Sequence, residues 1–235
     1  MNVTIFVEDD KANTQPEVLK VYKEGIAAEL ATIFKGKART VSAFEPECGL
    51  TKEVLGDTDV LLWWGHRFHG MVSDEVAKRV TDAVLTGMGL VVLHSGHYSK
   101  PFRALMGTTC SLRWRDGDFE RLWICSPSHP IAKGLPEYIE LKEEEMYGEY
   151  FDIPTPDDLV GIGWFRGGEV FRSVCAFRRG LGKVIYIQPG HETNPTYKNK
   201  DIRKLIRNAA EWAAADIRAA APTGSRHCEV PPESK

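Results

Sequence analysis

The stretch GLVVLHSGH, residues Gly89 to His97, decides the fold class of this 235-residue chain. Its first five residues are apolar throughout, which predicts a strand covered on both faces, as in a parallel sheet. Small residues after His94 permit a sharp turn that lifts the imidazole above the sheet, as at a nucleophile elbow. Open α/β sheets bind ligands at the carboxyl ends of their strands. The stretch therefore predicts an α/β fold with His94 at the site.

Two more apolar strands are followed directly by histidine. Residues 59–64 lead into GHRFH, which ends at His69, and residues 183–188 lead into PGHE, which ends at Glu192. Five of the seven histidines thus follow three apolar strands. Because the carboxyl ends of parallel strands meet at one edge of a sheet, this clustering makes the chain a candidate enzyme.

Strands and helices alternate in the first half of the chain. A strand at Val3–Val7 precedes a predicted helix that begins near Pro16 and continues to Ile33, because apolar residues recur every three or four positions. The further predicted elements are a strand at residues 38–43, a strand at residues 59–64, a helix between Ser73 and Gly87, and a short helix that Ser99 opens and Gly107 closes.

The second half of the chain has a different pattern. From Phe119 onward, shorter strands are separated by hairpin-like turns at residues 164–169 and 178–183. A last core strand at residues 183–188 and a closing helix from Asp201 to about Ala220 follow. We therefore predict a single doubly wound, mostly parallel sheet with an antiparallel insertion in the second half.

The composition changes after Ala221 to proline, serine, glycine and charged residues. We predict that residues 1–220 form one domain. Residues 221–235, with His227 and Cys228, are predicted to be a disordered tail without a role in the site.

Charge and composition argue against several functional classes. The net charge is −3 and no run of lysine or arginine occurs, so the sequence offers no footprint for nucleic acid. Neither a secretory leader nor an apolar stretch of about 20 residues is found, which argues against a membrane protein. The five cysteines are scattered, as expected for reduced thiols in the cytoplasm. The glycine-rich phosphate-binding motifs and the G-x-S-x-G motif are also missing.

Each histidine motif has a catalytic and a structural interpretation. His94 is either the exposed apex of its turn or a loop residue held by backbone carbonyls. His191 is suited to acid–base work or to metal ligation, with Glu192 as an orienting group or a ligand. Alternatively, it is a loop residue that hydrogen-bonds Asn194 or Tyr197. His66 and His69 lie three residues apart in a predicted loop, so their spacing alone does not define a metal site.

The acidic run Glu143–Glu149 also has two interpretations. Such a run is usually a solvated surface. Its interleaved Met146 and Tyr147 instead suggest that one carboxylate turns inward toward the imidazoles, where it would serve as a base, an acid or a ligand. The tryptophans are mainly core candidates, although one near a strand end, such as Trp64, is suited to stack on a sugar ring.

These motifs together resemble the ThuA-like family, which is linked to the use of trehalose and related disaccharides. The resemblance runs from the first strand to about Ala214 and is carried by WWGH at 63–66, GLVVLHSGH at 89–97, EEMYG at 144–148 and PGHE at 189–192. It implies a class I glutamine amidotransferase-like, or flavodoxin-like, fold. It also implies a role with oxidised sugars, namely 3-keto-glycosides that a partner sugar dehydrogenase produces.

The same resemblance implies roles for individual residues. His94 stands where amidotransferases have their nucleophilic cysteine, which argues against glutaminase activity, and His191 stands where they have their catalytic histidine. The two imidazoles should therefore approach one another. The expected catalytic residues are His94, His191, Glu145 and Tyr147. The expected substrate-binding residues are Trp64, His66, His69, His97 and Glu192. The expected ligands of a divalent metal, Zn or Mn, are His66, His94 and His191.

We therefore expect an enzyme that acts on a 3-keto-glycoside or a related sugar by His/Glu acid–base chemistry, in a cytoplasmic homo-oligomer. Two alternatives stay open at this point. One is a non-catalytic sugar-binding or regulatory module, and the other is a metal-dependent hydrolase of another small substrate.

Overall fold

Nine strands form one mixed sheet in the computed structural model, which describes residues 1–221, 229–231 and 233. The strand order is β2-β1-β3-β4-β9-β8-β7-β5-β6. The strands are β1 (Val3–Val7), β2 (Arg39–Ser42), β3 (Val60–Trp64), β4 (Gly89–Leu93), β5 (Arg113–Ile124), β6 (Tyr138–Gly148), β7 (Asp158–Phe165), β8 (Val170–Arg179) and β9 (Gly182–Ile187). Most of the predicted tail, including His227 and Cys228, lies outside the described residues.

Six α-helices are found in the described part of the chain. They are α1 (Pro16–Val21), α2 (Ile26–Ile33), α3 (Lys52–Gly56), α4 (Asp74–Leu85), α5 (Lys100–Met106) and α6 (Lys200–Ala213). As predicted, Ser73 caps α4, where its Oγ accepts a hydrogen bond from the Val76 N–H at 3.2 Å. Gly107 ends α5 in the left-handed conformation. None of the helices described is both long and apolar enough to cross a membrane.

The parallel half of the sheet is covered on both faces. Strands β2, β1, β3, β4 and β9 pair in parallel. Alternate residues of each strand point to opposite faces, so Leu62 packs in the core with α1, α2 and α6, whereas Trp63 packs in the core with α3, α4 and α5. The pairing register aligns Trp64 with Leu93 and Leu93 with Ile187. The residues that follow these three strands therefore begin at one level of the sheet edge.

The antiparallel half is larger than predicted. Strands β5 to β8 lie in the sequence between β4 and β9, and β9 joins the halves because it pairs in parallel with β4 and antiparallel with β8. The α/β class is confirmed, but the expectation of a mostly parallel sheet is wrong. Four of the strand pairs are parallel and four are antiparallel. The charged start of β5, residues 113–118, has no apolar alternation, so sequence periodicity could not reveal this part of the strand.

The end of β6 lies over the ends of β4 and β9. Two register shifts interrupt the β5–β6 ladder, between Arg115 and Asp118 and between Asp118 and Glu120. Irregularities of this kind bend a strand pair. The Gln188 side-chain amide donates to the Glu145 carbonyl at 3.0 Å, so β6 reaches the edge where the histidines emerge.

Two predicted helices differ from those observed. The predicted helix at 16–33 is divided into α1 and α2, because Gly25 takes a positive φ of 84° directly before α2. The closing helix ends at Ala213 rather than near Ala220. The next residues leave the helix to bind other backbone groups: the Ala215 N–H donates to the Asp59 carbonyl, and the Arg218 guanidinium donates to the Leu55 carbonyl.

Candidate active site

Three imidazoles meet at the carboxyl edge of the sheet. His66 follows β3, His94 follows β4 and His191 follows β9. Their ring centroids are 5.7 Å apart for His66 and His94, 5.3 Å for His66 and His191, and 5.6 Å for His94 and His191. His94 and His191 thus approach one another, as the family resemblance implied.

His94 lies beneath the site rather than at an exposed apex. Its backbone has a φ of 52°, a left-handed turn directly after β4, and its side chain is 0% exposed. The Nδ1–H donates to the Gln188 carbonyl at 3.0 Å, and Nε2 lies 3.0 Å from Glu145 Oε2. Tyr147 stacks on the ring with a centroid distance of 5.2 Å. The expectation that the turn exposes His94 is therefore wrong, because the end of β6 covers it.

His94 and Glu145 form a buried pair in which each side chain favours the charged form of the other. Burial lowers the pKa of His94, but the hydrogen bond and charge of Glu145, together with the charges of Glu144 and Glu192, outweigh burial and raise it. Burial likewise raises the pKa of Glu145, but His94 outweighs this effect and the net pKa is lowered. Both shifts favour the charged forms. Pairing with His94 therefore favours the ionised form of Glu145.

Glu145 opens onto two adjacent cavities. The first cavity has a volume of about 480 Å³ and the second a volume of about 410 Å³. Asp116 also lines both cavities. The buried carboxylate oxygen Oε2 of Glu145 faces His94 Nε2 at 3.0 Å. The first cavity is lined by His66, His69, Ser95, His97, Tyr98, Ser111, Leu112, Trp114, Asp116, Glu145 and Tyr147. His191 lines the second cavity, with Thr193 and Asn194 among its neighbours.

Tyr147 supplies a protonated hydroxyl beside Glu145. Its Oη lies 2.6 Å from Ser95 Oγ, and both residues line the first cavity. Burial, followed by the charge of Glu145, raises the pKa of Tyr147 well above its usual value. The phenol therefore stays protonated and can donate a hydrogen bond.

A second imidazole is held by a carboxylate on the same edge. His66 Nδ1 lies 2.8 and 2.7 Å from the two oxygens of Glu192. Burial raises the pKa of Glu192, but the hydrogen bond and charge of His66 outweigh it and lower the pKa to about 2. Glu192 therefore orients His66, whereas the sequence pattern had associated it with its neighbour His191.

Glu8 holds the loop that carries His66 and His69, and sequence reasoning missed it. Its buried carboxylate accepts the backbone N–H groups of His66 at 2.8 Å and Phe68 at 2.7 Å, and its Oε1 lies 2.5 Å from His69 Nδ1. A Cβ on Gly65 would lie only 2.3 Å from Glu8, so glycine is needed there. Its position in the sequence could have identified it, because Glu8 directly follows β1 at the same sheet edge.

Glu144 organises the loop that carries His191, and it too was missed. Its carboxyl oxygens accept the N–H groups of Gly190 and His191, each at 3.0 Å, and the Thr196 hydroxyl at 2.6 Å. The acidic run at 143–149 is thus only partly a solvated surface, since Glu143 is exposed while Glu144 and Glu145 are buried.

Two other predicted site residues have mainly structural contacts. Trp64 is 3% exposed, its Nε1–H donates to the Gly190 carbonyl at 3.1 Å, and it does not line either cavity. The expectation that Trp64 contacts a sugar is therefore wrong, and Trp64 instead supports the loop that carries His191. His97 lines the first cavity, and its Nδ1–H donates to the Cys110 carbonyl at 2.7 Å.

His97 is expected to make the protein less stable in acid. Burial lowers the pKa of His97 from 6.5 to about 3. Between these two pH values, the unfolded chain therefore binds a proton at His97 that the folded chain excludes. The free energy of unfolding should fall as pH decreases, by at most about 1.4 kcal/mol per pH unit from this group. Urea titrations near neutral and acidic pH should show a smaller pH slope for His97→Gln. An unchanged slope would contradict the assignment.

The structure supports a different metal ligand set from the one expected. Within the described part of the chain, donor atoms of His66, His191 and Glu192 lie within 4.8 Å of one another. Asp116, Glu145 and His191 form a second such group. His94 belongs to neither group, because its nitrogens face the Gln188 carbonyl and Glu145. The expected set of His66, His94 and His191 is therefore corrected at His94.

The fold is shared with several solved structures at low sequence identity. A ThuA-like protein from Bacteroides uniformis is 13% identical, with a TM-score of 0.69 and coverage of 94% of each chain. One from Parabacteroides merdae is 15% identical, with a TM-score of 0.64 and coverage of 93% of this chain and 92% of that chain. A cytoplasmic protein from Salmonella typhimurium is 11% identical, with a TM-score of 0.58 and coverage of 92% and 100%. These similarities concern the fold alone.

Sequence comparison gives the family directly. A search of curated proteins finds no match. The family model ThuA, described as trehalose utilisation, matches residues 2–213, nearly all of the part of the chain that forms the sheet and its helices. The chain therefore belongs to the ThuA family.

Proposed function

We propose that the protein is an enzyme that acts on a 3-keto-glycoside, with Glu145 as the base that removes the proton next to the carbonyl. One observation carries this proposal. The Glu145 carboxylate opens onto both cavities, and its Oε2 lies 3.0 Å from the buried His94 Nε2, which lowers the pKa of Glu145. Positioned carboxylates of this kind serve as general bases.

The proposed chemistry begins at C2 of the keto-sugar. The C3 carbonyl acidifies the C2 proton, which Glu145 accepts while the electron pair moves to the C3 oxygen. The Tyr147 hydroxyl donates to the developing enolate, as in an oxyanion hole. Two outcomes follow from the same intermediate. Transfer of the O2 proton to O3 and return of the removed proton to C3 give the 2-keto isomer. Alternatively, the C1–O bond breaks as the C1=C2 bond forms and the C3 carbonyl is restored, and His191 or His66 protonates the departing oxygen, which gives elimination.

His94 acts through Glu145 in this proposal. It touches no part of either cavity and is therefore a positioning residue rather than a catalytic one. His191 and His66 reach the cavities, where they are placed to exchange protons with the sugar oxygens. His69 and His97 line the first cavity as candidates for binding sugar hydroxyls.

Incubation with 3-keto-trehalose and with trehalose tests the activity. We expect ¹³C NMR to show consumption of the keto-sugar only, because trehalose lacks the carbonyl that acidifies C2. The product distinguishes isomerisation from elimination. Binding of the keto-sugar without any conversion would overturn the enzymatic proposal and favour the alternative of a sugar-binding or regulatory module.

A bound divalent metal is a second proposal, favoured by the His66, His191 and Glu192 donors. Two imidazoles and a carboxylate are a common ligand set for catalytic Zn. Here the ion would replace the hydrogen bonds between His66 and Glu192. A bound ion would polarise a carbonyl, which also suits a hydrolase of another small substrate.

Elemental analysis of freshly purified protein tests the metal site. We expect about one Zn or Mn per chain, and much less metal in Glu192→Gln. His129→Gln, which alters a histidine outside the site, should retain the metal. A fully active preparation without metal would exclude a metal-dependent reaction.

The proposed substrate also implies partners. A 3-keto-glycoside must be supplied by an oxidation, so we propose that a sugar dehydrogenase acts before this protein in the same pathway. A cytoplasmic location and a homo-oligomeric state complete the proposal and are directly measurable by fractionation and light scattering.

A further inference from the structure

Trp114 is an exposed tryptophan at the first cavity. Its side chain is 63% exposed, and Tyr98, which lines the same cavity, is 47% exposed. Large aromatic side chains on the rim of a cavity indicate a ligand-binding surface. Trp123 on the same strand offers a contrast, because its ring packs against Tyr138 at a centroid distance of 4.9 Å. Among the described residues, no aromatic ring or cation stacks on Trp114.

The strand register places Trp114 directly beside the reactive residues. Trp114 of β5 is paired with Tyr147 of β6. Side chains of directly opposed residues share a face of the sheet, with Cβ atoms about 5 Å apart. A ring that stacks on Trp114 would therefore lie next to a ring held at Glu145 and Tyr147, on the solvent side.

The other residues at this end of the cavity suit a sugar. Ser111 and Asp116 line the same cavity and offer hydroxyl and carboxylate groups for sugar hydroxyls. A pyranose presents an apolar C–H face, which can stack on the indole, and a rim of equatorial hydroxyls, which can bind these polar groups. Tyr98 is held in place by the Arg103 guanidinium, 4.8 Å from the centre of its ring.

The cavity also lacks the groups that bind phosphate. Within the described part of the chain, no lysine or arginine lines it, whereas Asp116 and Glu145 both do. Phosphate recognition relies on arginine, lysine or backbone N–H clusters. The cavity volume of about 480 Å³ is within the range of sites that enclose small ligands.

We infer that Trp114, with Tyr98, Ser111 and Asp116, forms a second sugar subsite that takes the neutral ring attached to the reacting one. This inference rests on the proposed function, since it takes the reacting ring to lie at Glu145. It makes the preferred substrate a neutral disaccharide or glycoside rather than a monosaccharide or a phosphorylated sugar.

Calorimetric binding of trehalose, glucose and trehalose 6-phosphate tests the subsite without requiring turnover. Wild-type protein should bind trehalose more tightly than the other two sugars. Trp114→Ala should weaken trehalose binding by about tenfold and leave glucose binding unchanged. Trp114→Phe should restore most of the affinity, and Trp123→Ala should bind like wild type. Thermal melts of each variant would show that the exposed substitutions leave the fold intact.

The results separate the subsite from the proposed reaction. Equal trehalose binding by Trp114→Ala and wild type would overturn the subsite, as would an equal loss of glucose binding or tighter binding of trehalose 6-phosphate. If the binding pattern holds but no keto-sugar is converted, the subsite stands and the proposed reaction fails.

Discussion

Replacement of Glu145 by glutamine is expected to lower kcat for a 3-keto-glycoside by about 10²–10⁴-fold. The amide has nearly the same shape but cannot accept the C2 proton. Stopped assays of keto-sugar consumption measure this loss. Glu140→Gln, an exposed substitution on the same strand, should keep the wild-type rate. Wild-type kcat in Glu145→Gln would remove this carboxylate from the mechanism.

Replacement of His94 by asparagine is expected to change the pH dependence of the reaction. His94→Asn keeps a residue that tolerates the left-handed backbone at this position. Because His94 lowers the pKa of Glu145 and burial raises it, loss of the imidazole should raise that pKa. The acid limb of the kcat/KM profile should therefore move to higher pH. A lower rate with an unmoved limb would assign His94 a purely structural role.

Replacement of Glu144 by alanine is expected to lower the free energy of unfolding by about 3 kcal/mol. The change leaves the Gly190 and His191 N–H groups and the Thr196 hydroxyl without their buried acceptor. Urea titration measures the loss. Glu144→Gln, which keeps one acceptor oxygen, should lose less stability than Glu144→Ala.

The neighbouring Glu143 provides a matched control for stability. It is exposed, so Glu143→Ala should change the free energy of unfolding by no more than about 0.5 kcal/mol. Equal effects of alanine at 143 and 144 would show that the carboxyl group of Glu144 does not hold the His191 loop.

The convergence of His66, His94 and His191 was predictable from sequence for a physical reason. Each follows an apolar run long enough to be recognised as a buried strand, and parallel strands bring their carboxyl ends to one edge. The register of β3, β4 and β9 aligns the ends of the three strands that the histidines follow. Local pattern and a general topological rule were sufficient here.

The burial of His94 was not predictable in the same way. It depends on β6, which lies at the far edge of the sheet and reaches His94 only through long antiparallel pairing and the bends in β5. A run of adjacent glutamates carries no signal of which side chain turns inward, and both Glu144 and Glu145 are buried. Glu8 was likewise hidden in an acidic turn whose partners lie some 60 residues away in sequence.

The fate of the C2 proton shows whether Glu145 is the base that acts on the keto-sugar. We would incubate 3-keto-trehalose in deuterium oxide with wild-type protein and with Glu145→Gln and follow the C2 proton by NMR. We expect the wild-type protein to remove this signal, by exchange or by conversion. With the variant, the signal should disappear no faster than it does without protein. Loss of the signal at the wild-type rate in Glu145→Gln would exclude Glu145 as the base.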